Sequence, residues 1–399
     1  MKEQIAWIKN AIPGDGGEKF LALMSLEETA KAHRFHSSIP HYKRTPLANL
    51  ENLAKMLGVK GVFVKDESCR FGLNAFKVLG GSYAIARYIA GRLNRDGVDY
   101  PALVSDETKR VLGDITFYTA TDGNHGRGVA WAANKLRQKA VVLMPEGSSQ
   151  TRLRNILNEG ADASITNLNY DDAVRLASEK ASHDPAGVMV QDTAWDGYEE
   201  IPSWIMQGYG TMSFEAQDQL REAGVERPTH IFVQAGVGSL AGSVQGFFSN
   251  MYPDNCPVTT IVEASAADCL YRSAKAGHLV PVGGKLDTIM AGLACGEGNI
   301  ISWQILKNHS AFFVSAPDRL AALGMRILGA PLRGDPQVIS GESGAVGCGL
   351  LVSVIRDESL ADFREALGLN RESVILLFST EGDTDPEKYL DIVWKGAYS

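Results

Sequence analysis

The chain has 399 residues, with 47 Asp and Glu against 39 Lys and Arg, for a formal net charge of −8. Mildly acidic and without a basic tract, it is a poor partner for nucleic acid or an anionic membrane surface. Hydrophobic residues at 45% and charged residues at 22% are an ordinary globular balance, and at roughly 100–200 residues per domain the length suits two domains or one two-lobed unit.

The opening stretch MKEQIAWIKNAIPGDGG has no continuous apolar run of signal-peptide length, and no later run approaches a membrane span, so a cytoplasmic protein is expected. The first 40 or so residues, polar and glycine-containing, read as an irregular arm over the surface. Beyond them, short β-branched runs alternate with helical patterns. VFVKD (62–66), ITFYTATD (115–122), AVVLMP (140–145), GVMVQD (187–192), HIFVQAG (230–236), TTIVEA (259–264) and VILLFST (374–380) read as strands. Helical stretches fall between them, among them 78–93, 125–138, 148–160, 170–183 and 317–329. Such alternation implies right-handed crossovers and mainly parallel sheets, with ligands held beyond the carboxyl ends of the strands. The five cysteines, Cys69, Cys256, Cys269, Cys295 and Cys348, are scattered without a C-x-x-C pair, which reads as free thiols and no metal site.

Four segments stand out along this pattern. NAFKVLGG (74–81) puts Lys77 between Phe76 and Val78 at the start of a helix. An ordinary lysine there would snorkel to water, whereas desolvation would favour the neutral, nucleophilic amine. TATDGNHGRG (119–128) is a strand leading through a glycine turn into a helix. Thr121, Asn124 and His125 are donors suited to a carboxylate or phenolate, and Asp122 is either a helix cap or an acidic group in that turn. In GVGSLAGSV (236–244), Gly236 and Gly238 let backbone N–H groups approach an anion at a helix N-terminus. The segment lacks both the dinucleotide fingerprint and the P-loop ending, so it suits a single phosphate or a plain tight turn. STEGDTD (379–385) places Ser379 and Thr380 at a strand end, as caps or as neutral partners for a ring nitrogen. A lysine, a one-phosphate cradle, a glycine–asparagine loop and a terminal hydroxyl, in this order, suit pyridoxal phosphate held as a Schiff base.

In these segments the sequence resembles the fold-type II, tryptophan synthase β-like, pyridoxal-phosphate enzymes over nearly its whole length. KRTPLANLENLAKMLGVKGVFVKDES (43–68) is similar to the family's opening segment, and SWIMQGYGT (203–211) to its I-x-x-G-Q-G-T helix. The resemblance implies an α/β fold of two open, twisted, mainly parallel sheets in two domains with the cofactor between them. The larger domain would be discontinuous (1–84 plus 216–399) and the smaller would span 85–215, in a homodimer. It further implies that Lys77 carries the cofactor, that Asn124 faces the ring oxygen, and that Gly236, Val237, Gly238, Ser239 and Leu240 hold the phosphate. Ser379, or failing that Thr380, would meet the pyridine nitrogen. Thr121, Asp122, Gly123, Asn124 and His125 would hold the substrate.

The chain departs from the family pattern in Asn74-Ala75 before Phe76 and in the acidic Asp122. Asp122, and Asp192 in QDTAW, would suit a substrate whose β-leaving group is an amine. Within the family this implies α,β-elimination of D- or L-2,3-diaminopropionate to pyruvate and two ammonia, with Lys77, Asp122 and Asp192 as catalytic residues. A threonine or serine dehydratase, and a non-catalytic amino-acid-binding α/β protein, are the rival readings.

Overall fold

The structure, a computed structural model, describes residues 4–12, 14, 17–95, 97–121 and 123–399. The chain divides into two compact units, one of residues 1–26, 44–75 and 212–399, the other of residues 27–43 and 76–211. Three strands precede residue 70: β1 (Ala6–Lys9), β2 (Leu47–Asn49) and β3 (Gly61–Asp66). Four follow in the second unit: β4 (Thr116–Ala120), β5 (Lys139–Met144), β6 (Asp162–Ile165) and β7 (Gly187–Met189). The last four are β8 (His230–Gln234), β9 (Val258–Ala264), β10 (Phe312–Ala316) and β11 (Val374–Ser379).

In the larger unit seven strands form one sheet in the order β1-β10-β9-β8-β11-β3-β2, parallel except for the antiparallel edges β1 and β2. Its central strands, such as HIFVQ and VILLFS, are buried at every residue, which is why they read as continuous apolar runs instead of alternating ones. The smaller unit has a four-stranded parallel sheet, β6-β5-β4-β7.

Both sheets reverse direction once. From β8 the chain proceeds to β9 and β10 on one side, while β11 lies on the other; from β4 it proceeds to β5 and β6, while β7 lies on the other. In doubly wound sheets the ligand crevice opens beyond the carboxyl ends at such a reversal. GVGSL follows β8 and Thr380 follows β11; TDGNHG follows β4 and Asp192 closely follows β7.

Helices in the smaller unit pack with their backbones close. A Cβ on Gly128, in helix Asn124–Lys135, would fall 2.8 Å from Cα of Val78 at the start of helix Val78–Arg92. Glycine at 128 thus brings the TDGNHG helix against the residue after Lys77.

The N-terminal segment departs from the expected irregular arm. β1 joins the large sheet beside β10, and its Trp7 stacks on Phe363 at 4.6 Å. Helix Leu26–Ser38 buries Thr29, Ala32, Phe35 and His36. A buried face built partly from Thr, Ala and His has too little apolar contrast to show in sequence. All five cysteines are free thiols, and among the described residues no helix is long and apolar enough to cross a membrane.

Candidate active site

Lys77 directly precedes helix Val78–Arg92 without capping it, with Phe76 and Val78 buried on either side. Its side chain is 18% exposed, and Nζ donates to Asp192 Oδ2 at 2.8 Å. The apolar flanks pointed to a desolvated amine; the structure adds a carboxylate partner 115 residues away in sequence. Burial alone would push the Asp192 carboxyl up. The charges of Lys77 and His125 and the Lys77 hydrogen bond overcome it and hold the carboxyl down at about 2. Asp192 is therefore an anion throughout the physiological range.

The carboxyl end of β7 is held by a polar network. Gln191 Oε1 accepts from Thr119 Oγ1 at 2.9 Å and from the Ala120 N–H at 3.2 Å, and Gln191 Nε2 donates to Tyr170 Oη at 2.7 Å. The Gln191 N–H donates to Tyr198 Oη at 2.8 Å, and that hydroxyl donates onward to Met189 O at 3.1 Å. Asp192 is the next residue, so its carboxylate is aimed by bonds that leave the strand end little freedom. His125, 2% exposed, bonds the carbonyl of Val190 through Nε2 at 2.9 Å, so Nε2 carries a proton. Its Nδ1 lies 3.9 Å from Asp192 Oδ2. Thr121 Oγ1 accepts from the Gly123 N–H at 2.9 Å, and Asn124 opens the following helix. Asp122 lies outside the described residues. Lys77, Thr121, Asn124, His125 and Asp192 thus share the smaller unit's β4/β7 reversal and the helices beside it.

The larger unit carries the other candidates. Helix Ser239–Met251 starts at Gly238, whose φ of +97° suits glycine and whose position offers no side-chain cap. The first N–H groups of an α-helix have no intrahelical acceptor, so Ser239 and Leu240 present donors and a positive dipole end just after β8. Gly236 and Val237 complete that turn. On the neighbouring strand end, Thr380 Oγ1 accepts from Gln234 Nε2 at 2.8 Å, whereas Ser379 Oγ reaches only Glu381 O at 3.4 Å. Ser379 is the less committed of the two hydroxyls. Two buried atoms here have no hydrogen-bond partner among the described residues, Gln234 Oε1 and Ser343 Oγ. The Asn74 departure also has a local cause: its φ is +60°, which asparagine tolerates, and its carbonyl accepts from the Gly382 N–H at 3.1 Å. That bond ties the STEGDTD turn to the chain three residues before Lys77.

Sequence reasoning missed Gln191, Tyr198 and Tyr170 behind Asp192, and Ser343. The signal for Gln191 was its place beside Asp192; the tyrosines gave none, because they act across the fold.

A model of the pyridoxal-phosphate dependent enzymes matches residues 39–361. The chain belongs to that family. It is 50% identical to diaminopropionate ammonia-lyase of Escherichia coli strain K12 over 378 residues, 94% of each chain. The crystal structure of the E. coli ammonia-lyase with D-serine superposes with a TM-score of 0.91 at 46% identity, covering 99% of this chain and 98% of that one. The same protein in complex with an aminoacrylate-PLP azomethine reaction intermediate gives 0.88 at 46% identity and the same coverage. This is a fold-type II pyridoxal-phosphate enzyme. Each unit by itself carries groups of the kind the cofactor needs: the larger has an uncapped helix start suited to a phosphate and a weakly bonded buried hydroxyl at Ser379, and the smaller has the Lys77 amine.

Proposed function

We propose that this enzyme eliminates both amines of 2,3-diaminopropionate, in either configuration, and with one water releases pyruvate and two molecules of ammonia. The likeness to the ammonia-lyases supports the substrate, and the observation that carries the reading is the Lys77–Asp192 pair. When bound, pyridoxal phosphate supplies an electron sink for the charge left at the substrate α-carbon. Lys77 would hold the cofactor, with Gly236 to Leu240 on its phosphate, Ser379 on the ring nitrogen and Asn124 on the ring oxygen. With the lysine so engaged, Asp192, buried and ionised, takes a cation from the substrate. A β-ammonium is such a cation, whereas a serine or threonine hydroxyl is not, and an amine departs readily only when protonated. Thr121, Gly123 and His125 would hold the substrate at the β4 turn. Lys77, freed once the substrate amine has taken its place, would take the α-proton of one isomer and Asp122 that of the other.

The resemblance further supports a cytoplasmic homodimer, tested by sedimentation of the loaded enzyme. On this reading residues 1–84 and 216–399 form the cofactor-binding domain and 85–215 the smaller one. Helix Val78–Arg92 crosses that limit, and limited proteolysis locates the true boundary.

The test is pyruvate release across 2,3-diaminopropionate, serine and cysteine, with threonine assayed for its own keto acid. Diaminopropionate should lead. A preference for serine or threonine would install the dehydratase reading. An enzyme that binds an amino acid and releases no product would install the ligand-binding one.

A further inference from the structure

Helix Glu200–Glu222 carries Tyr209 into the smaller unit. The residue is 1% exposed, and its Oη has no hydrogen-bond partner among the described residues. Its ring lies 4.7 Å from that of Phe76, inclined by 50°. A Cβ on Gly80 would fall 2.6 Å from Tyr209 Cε1 and 2.9 Å from Cζ. Phe76 directly precedes Lys77 and Gly80 follows it by one helical turn, so the hydroxyl-bearing end of the ring lies over the turn that Lys77 begins. Burial is the main reason the phenol holds its proton far above the usual tyrosine range. The Asp192 charge adds to this and the Lys77 charge opposes it, so both are within electrostatic reach.

A buried hydroxyl left without a partner costs stability, and one kept beside the lysine that would hold the cofactor points to a ligand or an ordered water as its partner. We propose that Tyr209 is a further substrate-binding residue, whose phenolic oxygen accepts a hydrogen bond from the β-ammonium that Asp192 neutralises. The assignment rests on the diaminopropionate reading and extends it to discrimination. An ammonium brings three N–H donors into a buried site, and one carboxylate does not meet them all. A serine hydroxyl brings one donor, which Asp192 alone satisfies. Tyr209 therefore favours an amine over a hydroxyl at the β-carbon.

The test is Tyr209→Phe, which keeps the ring packed on Phe76 and Gly80. In the cofactor-free protein its Tm should equal or exceed that of the wild type, because the hydroxyl removed had no partner. In the loaded enzyme KM for 2,3-diaminopropionate should rise about tenfold, the equivalent of one hydrogen bond. Binding of serine, measured as a competing ligand, should change by less than about twofold. A Tm several degrees lower would show the hydroxyl bonded within the fold and overturn the proposal. Equal weakening of diaminopropionate and serine would overturn it as well, and so would no weakening of either. A wild type inactive on diaminopropionate removes the functional reading and this assignment together. A wild type active on it, with Tyr209→Phe unchanged, removes the assignment alone.

Discussion

Lys77 Nζ and Asp192 Oδ2 lie 2.8 Å apart, one at a helix start and the other just past the end of β7. The pair joins an amine able to carry a cofactor to an anion that must find another cation once that amine is engaged. Asp192→Asn keeps the shape and removes the charge. Turnover of both isomers of 2,3-diaminopropionate should fall by about 10²-fold or more, the scale of losing a group that assists proton transfer. Steady-state pyruvate assays check this, and unchanged turnover would show that neither the substrate nor Lys77 depends on the Asp192 charge.

Asp122→Asn should separate the isomers. If Asp122 is the base opposite Lys77, the D-isomer loses about 10²–10⁴-fold. The L-isomer loses less, because Lys77 still serves its proton. Parallel assays on the two isomers decide, and equal small losses would reduce Asp122 to a helix cap.

Gly238 has a left-handed backbone, and a Cβ there would fall 2.8 Å from Ser302 Oγ. Gly238→Val should strain the turn that presents the first N–H groups of helix Ser239–Met251 and weaken cofactor binding at least tenfold, since a β-branched residue disfavours that φ. Titration of the cofactor-free protein with pyridoxal phosphate measures it. Full occupancy at limiting cofactor would show that the phosphate is held elsewhere.

Glu263, fully buried in β9, accepts from the N–H groups of Leu270 at 2.8 Å and Tyr271 at 2.6 Å. Burial pushes its carboxyl up to about 8, aided by Asp268 and opposed by those two N–H groups. A raised folded pKa means the native state holds a proton that the unfolded chain has released. Its stabilising contribution is full below about 4.5 and is lost as pH rises through about 8. The loss is roughly 1.4 kcal/mol per pH unit across that window. Glu263→Gln should flatten the decline by that slope, as read from denaturant melts of the cofactor-free protein at pH 5, 6.5 and 8 (values set by about that window). Parallel curves for the two proteins would rule the group out.

Much of the site was legible because it sits where local chemistry is loud. A strand ending in glycines before a helix names its own anion cradle, and GVGSL and TDGNHG both follow strands as the pattern requires. Lysine flanked by apolar residues was the weaker clue. Lys65, in VFVKD, is more deeply buried than Lys77, and it is locked by Glu215 Oε2 at 2.6 Å, Thr45 O at 2.7 Å and Gln219 Oε1 at 2.8 Å. Glu215 in turn receives Arg70, which also pairs with Glu67. What separates the two lysines is whether the surroundings immobilise the amine, and no local window of sequence shows that. The same limit hid Gln191 and Tyr198 behind Asp192 and the unpartnered hydroxyl of Tyr209. The N-terminal strand went unseen because none of its four residues is fully buried, and Trp7 finds its packing only across the fold, on Phe312 and Phe363.

The most direct test of the account is the ratio of ammonia to pyruvate released from 2,3-diaminopropionate by the loaded enzyme, with Lys77→Ala as control. Loss of both amines predicts two ammonia for each pyruvate, and none of either from the control. A ratio of one, or turnover surviving the loss of Lys77, would contradict it.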